Sequence, residues 1–156
     1  VKMLDQQVRD TVAAGARVLT GGQPLDRDGS YYAPTVLVDI PDGSPAHREE
    51  LFGPVAAVWR ARDAQDAVRI ANDSSFGLGG CVWTNDPDEQ RLFIRGINSG
   101  LMFINKFTES TPEAPFGGTK NSGYGRELGH LGIRSFVNAK TVWVVTTDQP
   151  NGHGVE

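Results

Sequence analysis

A single cysteine, Cys81, is all the thiol chemistry the sequence holds. One cysteine closes no internal disulfide, and a structural zinc site draws on several Cys or His ligands at set spacings. The three histidines, His47, His130 and His153, lie far apart and form no ligand pattern, so no metal site is expected. Long apolar runs are missing too. None approaches the roughly 18 residues that a membrane helix needs, and no charged-then-apolar leader opens the chain. A basic excess is also absent: 15 Lys and Arg against 19 Asp and Glu leave a net charge of −4. That balance lacks the electrostatic footprint of a nucleic-acid binder. The expectation is a cytoplasmic protein with no membrane and no nucleic-acid partner.

What is present fits a globular protein. The 156 residues are 38% hydrophobic and 22% charged, the composition of a packed domain rather than of a disordered chain. A chain of this length buries about two-thirds of its unfolded surface. Glycine is high at 19 residues, and the sequence opens on Val1, which suggests a piece of something longer.

Leu4, Val8 and Val12 recur at helical spacing before Gly15, so the opening segment reads as an amphipathic helix. Residues 16–19 and 36–38 read as short strands, separated and followed by Gly- and Pro-rich turns. Residues 55–59 form the next strand. Asp63 then stands as an N-cap before a helix with Ala64, Ala67, Val68 and Ala71 as its buried stripe. Gly77 to Gly80 close that unit, and Cys81-Val82-Trp83 is a strand. Asp86-Pro87-Asp88-Glu89 combines an N-cap acid, proline at the first helical position and Glu three residues after the cap, a strong start for a helix to about Ile97. Leu101 to Ile104 is a fully apolar strand. Strand and helix alternating over 55–104 predict an α/β fold with a parallel sheet whose strands are buried on both faces. Residues 105–125 read as an irregular loop of a length that is usually functional or disordered. Phe107 and Phe116 favour function, because disordered loops seldom carry aromatics. A helix over Arg126–Phe136, a strand over Thr141–Val145 and a loose tail from Asp148 complete the chain.

Taken alone, these residues offer little catalysis. Cys81 lies in an apolar strand without a visible base or helix N-terminus, and reads as a core thiol. Glu49-Glu50 is an acid/base pair or, more simply, a solvated surface. Gly117-Gly118-Thr119-Lys120 and Gly123-Tyr124-Gly125-Arg126 look like phosphate cradles. Neither fits a P-loop or a full dinucleotide fingerprint, so glycines serving tight turns are favoured.

Several of these weak signals occur together, in one order. Glu49-Glu50-Leu51-Phe52-Gly53-Pro54-Val55 resembles the E-x-F-G-P motif of the aldehyde dehydrogenase superfamily. The stretch from Pro115 to Glu127 resembles that family's late P-F-G-G-x-K-x-S-G-x-G-R-E motif. Tyr31 to Leu37, Gly77-Leu78-Gly79 and Lys140 to Trp143 also match in order. The resemblance runs over residues 1–146. Around Tyr31-Tyr32, Arg48-Glu49-Glu50 and Arg126-Glu127-Leu128 the wording is most similar to the succinate-semialdehyde dehydrogenase branch.

The resemblance implies a later part of the catalytic domain over 1–137, a C-terminal oligomerisation arm over 138–147 and a tail over 148–156. It implies an enzyme that oxidises an aldehyde, here succinate semialdehyde, with NAD or NADP through a cysteine thiohemiacetal, hydride transfer and thioester hydrolysis. Glu50 would hold the nicotinamide ribose hydroxyls and Phe52 would pack by the nicotinamide. Phe116 and the loop from Phe107 to Thr111 would wall the aldehyde tunnel, with Ser110 or Thr111 binding the substrate carboxylate. The arm, through residues 141–145, would add a strand to an intersubunit sheet in a homodimer or homotetramer. The family's nucleophilic cysteine and general-base glutamate lie upstream of anything in this chain, so no catalytic residue is assigned and the 156 residues alone are expected to be inactive. The alternative is a non-catalytic structural or interaction module on the same fold.

Overall fold

The computed structural model describes residues 1–145. The expected tail from residue 148, His153 and the last two residues of the arm lie outside the described residues. The opening helix is α1 (Lys2–Ala13). Gly15, at φ 123°, turns the chain out of it through backbone space that side chains disfavour. Leu4 and Val8 are buried as the stripe requires, but Val12 is exposed and the polar Gln7 and Thr11 face inward instead. Thr11 is fully satisfied there: its hydroxyl donates to the Gln7 carbonyl at 2.7 Å and accepts the Ala46 N–H at 3.0 Å. This links α1 to α2 (Pro45–Arg48), a one-turn helix where the sequence suggested only a chain break. Its signal is Ser44-Pro45, an N-cap residue type followed by proline at the first helical position.

Strands β1 (Arg17–Thr20), β2 (Thr35–Val38) and β3 (Val55–Val58) form one sheet in that order. β1 runs antiparallel to β2, and β2 runs parallel to β3 with Thr35 opposite Val55. Leu4 and Val8 of α1 join Ala16, Tyr32, Leu37, Ile40 and Ala46 in the core. Burial, then the neighbouring Asp5 carboxylate that accepts its hydroxyl at 3.3 Å, pushes the Tyr32 phenol above its ordinary value.

The two helix starts follow the sequence. Helix α3 (Ala64–Asn72) begins at Asp63, whose carboxylate accepts the Asp66 N–H at 2.7 Å. Between it and the next helix run β4 (Phe76–Gly77) and β5 (Gly79–Val82). Helix α4 (Pro87–Gly96) begins at Asp86, which accepts the Asp88 N–H at 2.7 Å. Asn72 joins the two helix ends: its amide donates to the Gly96 carbonyl and its oxygen accepts the Asn98 N–H, both at 2.7 Å. On α3, hydrogen bonds from Arg62 and then Arg69 hold the Asp66 carboxyl well below the usual carboxylate range.

β6 (Leu101–Ile104) pairs parallel to β5, with Gly79 opposite Leu101. The single parallel sheet expected over 55–104 is thus divided, since β3 bonds to β2 and not to β5. Alternation of strand and helix fixes strand direction, but not which strands are neighbours. Burial on both faces fails as well. All of Leu101–Ile104 are half-buried, Ala71 is exposed, and Cys81 is exposed rather than core. Among the described residues this two-stranded pair has no flanking strand to cover its edges.

Residues 105–125 contain β7 (Thr119–Lys120), antiparallel to β4. The helix expected over 126–136 shrinks to α5 (Gly129–Arg134). Glu127 is instead held in a bridge with Phe116, and Leu128 adopts φ 60°, which is incompatible with a helix. The strand expected at Thr141–Val145 is not formed: its side chains are exposed, and no described segment pairs with it. A strand exists only by its ladder, so an apolar run without a partner remains irregular. Among the described residues no helix is long and apolar enough to cross a membrane.

Candidate cofactor and substrate site

The loop from Glu49 to Pro54 is pinned at both ends. The Glu49 N–H donates to Pro45 at the close of α2, at 2.8 Å, and the Pro54 carbonyl accepts the Thr35 N–H of β2 at 2.9 Å. Two successive tight bonds, Gly53 N–H to Leu51 and Val55 N–H to Gly53, both 2.8 Å, fold the segment sharply between them. Gly53 allows a close approach: a Cβ there would stand 2.3 Å from Leu4 Cδ2, so the Leu4 side chain would have to shift. The loop lifts two chemically different groups into the open. The Glu50 carboxylate makes no hydrogen bond among the described residues, and the Phe52 ring is 80% exposed. An ionised carboxylate accepts two hydroxyl hydrogen bonds, as a ribose diol offers, and an uncovered ring offers a face to a planar heterocycle. The residues therefore fit a nicotinamide riboside.

Glu50 also lines an open groove of about 920 Å³, together with Ser74, Cys81, Trp83, Met102 and Asn121. The groove runs along β5 beside apolar residues of α3 and α4. Phe52, Phe107, Ser110, Thr111 and Phe116 do not line it.

The expected tunnel loop is suspended between two anchors. At its start Asn105, at φ 54°, accepts the Thr84 N–H at 2.9 Å and donates to the Thr84 carbonyl at 3.1 Å. Phe107 then meets Trp83 edge to face, with ring centroids 4.8 Å apart. At its end the Phe116 and Glu127 backbones exchange two hydrogen bonds of 2.8 Å, and the Gly129 N–H donates to Pro112 at 2.9 Å. Between the anchors Phe107 and Ser110 are exposed, while Thr111 and Phe116 are half-buried.

The glycine-rich motif that follows is occupied with its own backbone. Lys120 Nζ donates to the carbonyls of Asn72 and Ser74 at 3.0 and 2.9 Å, placing a cation at the C-terminal end of α3. Arg126 Nη1 donates to the Gly118 and Gly125 carbonyls at 2.7 and 2.8 Å, and Ser122 accepts the Gly77 N–H at 3.0 Å. A Cβ on Gly100 would lie 1.8 Å from the Gly117 oxygen. The glycines serve turns and close approach, as favoured from sequence, and the cations are engaged by carbonyls rather than held out for phosphate.

Sequence reasoning missed Asn105, Lys120 and Gln7 as organisers of these loops. Each is a polar residue whose partner lies at least 20 positions away, at a distance no local pattern reports. Among the described residues no cluster of three metal-type ligands occurs.

The sequence model of the aldehyde dehydrogenase family matches residues 1–142. A succinate-semialdehyde dehydrogenase of Mycobacterium avium, named for NADP(+), is 52% identical over 149 residues, which is 96% of this chain and 32% of the relative. One from Mycobacterium ulcerans, also named for NADP(+), is 56% identical over 139 residues, covering 89% of this chain and 30% of the relative. The crystal structure of succinic semialdehyde dehydrogenase from Streptococcus pyogenes in complex with NADP+ aligns with TM-score 0.87 at 34% identity, over 93% of this chain and 32% of that one. The chain thus spans about a third of the length of the curated relatives it matches.

Proposed function

Because the chain belongs to the aldehyde dehydrogenase family, we propose that it forms the later part of the catalytic domain of an NAD(P)-dependent enzyme that oxidises succinate semialdehyde to succinate. The observation that supports this reading most directly is the Glu49–Pro54 loop, which holds out a carboxylate without a partner among the described residues and an exposed ring on one hydrogen-bonded turn. The names of the similar proteins support succinate semialdehyde as the substrate. The coenzyme, when bound, supplies the hydride acceptor. The chain's own part is to hold and aim it: Glu50 accepts the ribose hydroxyls and Phe52 limits the swing of the ring. Orientation of this kind contributes several kcal/mol to a barrier, and a misplacement of about 1 Å costs roughly a hundredfold in rate.

In the full-length protein Glu50→Gln is expected to lower the rate of hydride transfer by about a hundredfold, followed as reduced coenzyme by stopped-flow absorbance. An unchanged rate removes the assignment and favours a non-catalytic module. Phe107 and Phe116 are proposed as the wall of the aldehyde path, with the hydroxyl of Ser110 or Thr111 on the substrate carboxylate. Ser110→Ala combined with Thr111→Val should then raise KM for succinate semialdehyde about tenfold and leave butanal unaffected. Equal effects on both aldehydes would refute it. The only thiol, Cys81, lies beyond the coenzyme loop on β5, so the 156 residues alone are expected to give no turnover. The exposed Val142, Trp143, Val144 and Val145 are proposed to find their ladder on a second copy of the chain. Val144→Asp should dissociate the oligomer in light scattering, and an unchanged mass counts against that interface.

A further inference from the structure

Gln7 is a polar side chain in an apolar place. It is only 8% exposed, on the inner face of α1 between Leu4 and Val8. Its amide nitrogen donates to a Glu49 carboxylate oxygen at 2.7 Å and to the Glu50 carbonyl at 3.3 Å. Its own oxygen is buried without a partner among the described residues. A buried acceptor left unpaired is unfavourable, yet rotating the amide would be worse, since it would set that oxygen against two other acceptors. The nitrogen therefore faces the loop, and both of its hydrogens are committed to it.

The consequence lies in the direction of the next side chains. Glu49 is extended, at φ −116° and ψ 161°, and in extended backbone successive side chains point to opposite sides. Gln7 draws the Glu49 carboxylate toward α1. Leu51, two residues on, packs against the core. Glu50, between them, is left facing outward onto the groove. Leu4 completes the cradle by filling the space that a side chain at position 53 would need.

We propose that Gln7 is a positioning residue for Glu50, fixing through Glu49 and the Glu50 carbonyl the direction from which that carboxylate meets the coenzyme ribose. The inference rests on the reading of Glu50 given above.

The test uses the full-length protein and two probes, NADPH and NADH, titrated by fluorescence, with KM for the aldehyde and a thermal melt measured alongside. Gln7→Leu removes the donor, and Gln7→Met does so while keeping the side chain unbranched and of similar length. Both should weaken coenzyme binding about tenfold with little change in aldehyde KM. In a Glu50→Gln background they should add almost nothing, because the group they aim is already gone. If Glu50→Gln weakens coenzyme binding and both Gln7 variants leave it unchanged, the Glu50 reading survives and the positioning role is overturned. If Glu50→Gln itself changes neither affinity nor hydride transfer, the underlying reading falls and takes this inference with it. An equal loss from the Gln7 variants in both backgrounds, or loss of a cooperative melt in both variants, would make Gln7 a structural residue only and would also overturn it.

Discussion

Around Leu37 the side chains of a helix and a sheet close over one another, whereas around Cys81 strands and helices of comparable length leave a groove of about 920 Å³. Every buried apolar side chain among the described residues lies between Leu4 and Ala46. The second region has an equally apolar strand in Leu101–Ile104, but this one is half-covered. Hydrophobicity does not separate the two regions. What separates them is the number of neighbours: among the described residues β2 has a strand on each side, while β5 and β6 have one each. Apolar sequence states that a surface wants cover, and only topology states whether the cover is in the same stretch of chain.

The contrast can be broken most forcefully at Leu37, which is 0% exposed. Leu37→Ala should cost about 2–5 kcal/mol, the range for emptying a packed core position, read from the urea midpoint. A loss below about 1 kcal/mol would mean that the first region is no better packed than the second. Phe93 gives the sharper comparison, since it is half-buried and lines the groove. Phe93→Ala should cost less than about 1 kcal/mol in the 156-residue polypeptide and about 3 kcal/mol in a full-length protein that covers the groove. Equal costs in both would show that the groove stays open. Local signals should behave alike in both settings. Asp86→Ala is expected to lose about 1 kcal/mol in either, through loss of the α4 cap alone, by the same denaturant measurement.

The smallest effect concerns Asp66, a charged residue enclosed by Arg62 and Arg69. Its folded pKa is depressed, so its carboxylate contributes stability above the unfolded value near 3.8 and loses that contribution as pH falls toward the lower folded value. Asp66→Asn should therefore lower Tm at pH 7, and its gap to the unmodified protein should narrow at pH 3. A gap independent of pH would show that the ion pairs contribute nothing.

The sequence made some features readable and hid others for identifiable reasons. Asp63 and Asp86 announced their helices because a cap is a contact between residues two or three apart. The strands at 55–58 and 101–104 were visible in their apolar runs, but their pairing was not, because neighbours in a sheet are chosen by the whole topology. Thr141–Val145 shows the same limit, since strand-like composition produced no strand where no ladder partner stands among the described residues. Glu50 and Phe52 could be singled out only through a motif resemblance, because a lone acid or ring in a loop carries no local signal of its own. Gln7 carried no signal at all. A periodicity count that scores apolar residues passes over a buried amide, although that amide reaches across 42 positions to the loop.

The open face along β5 also has a calorimetric meaning. Apolar surface that meets water raises the heat capacity of the state exposing it, by about 0.45 cal/mol/K for each Å². Whatever covers Met102, Phe93 and Ile97 should therefore bind with a negative heat-capacity change, and its affinity should follow a curve in temperature rather than a line.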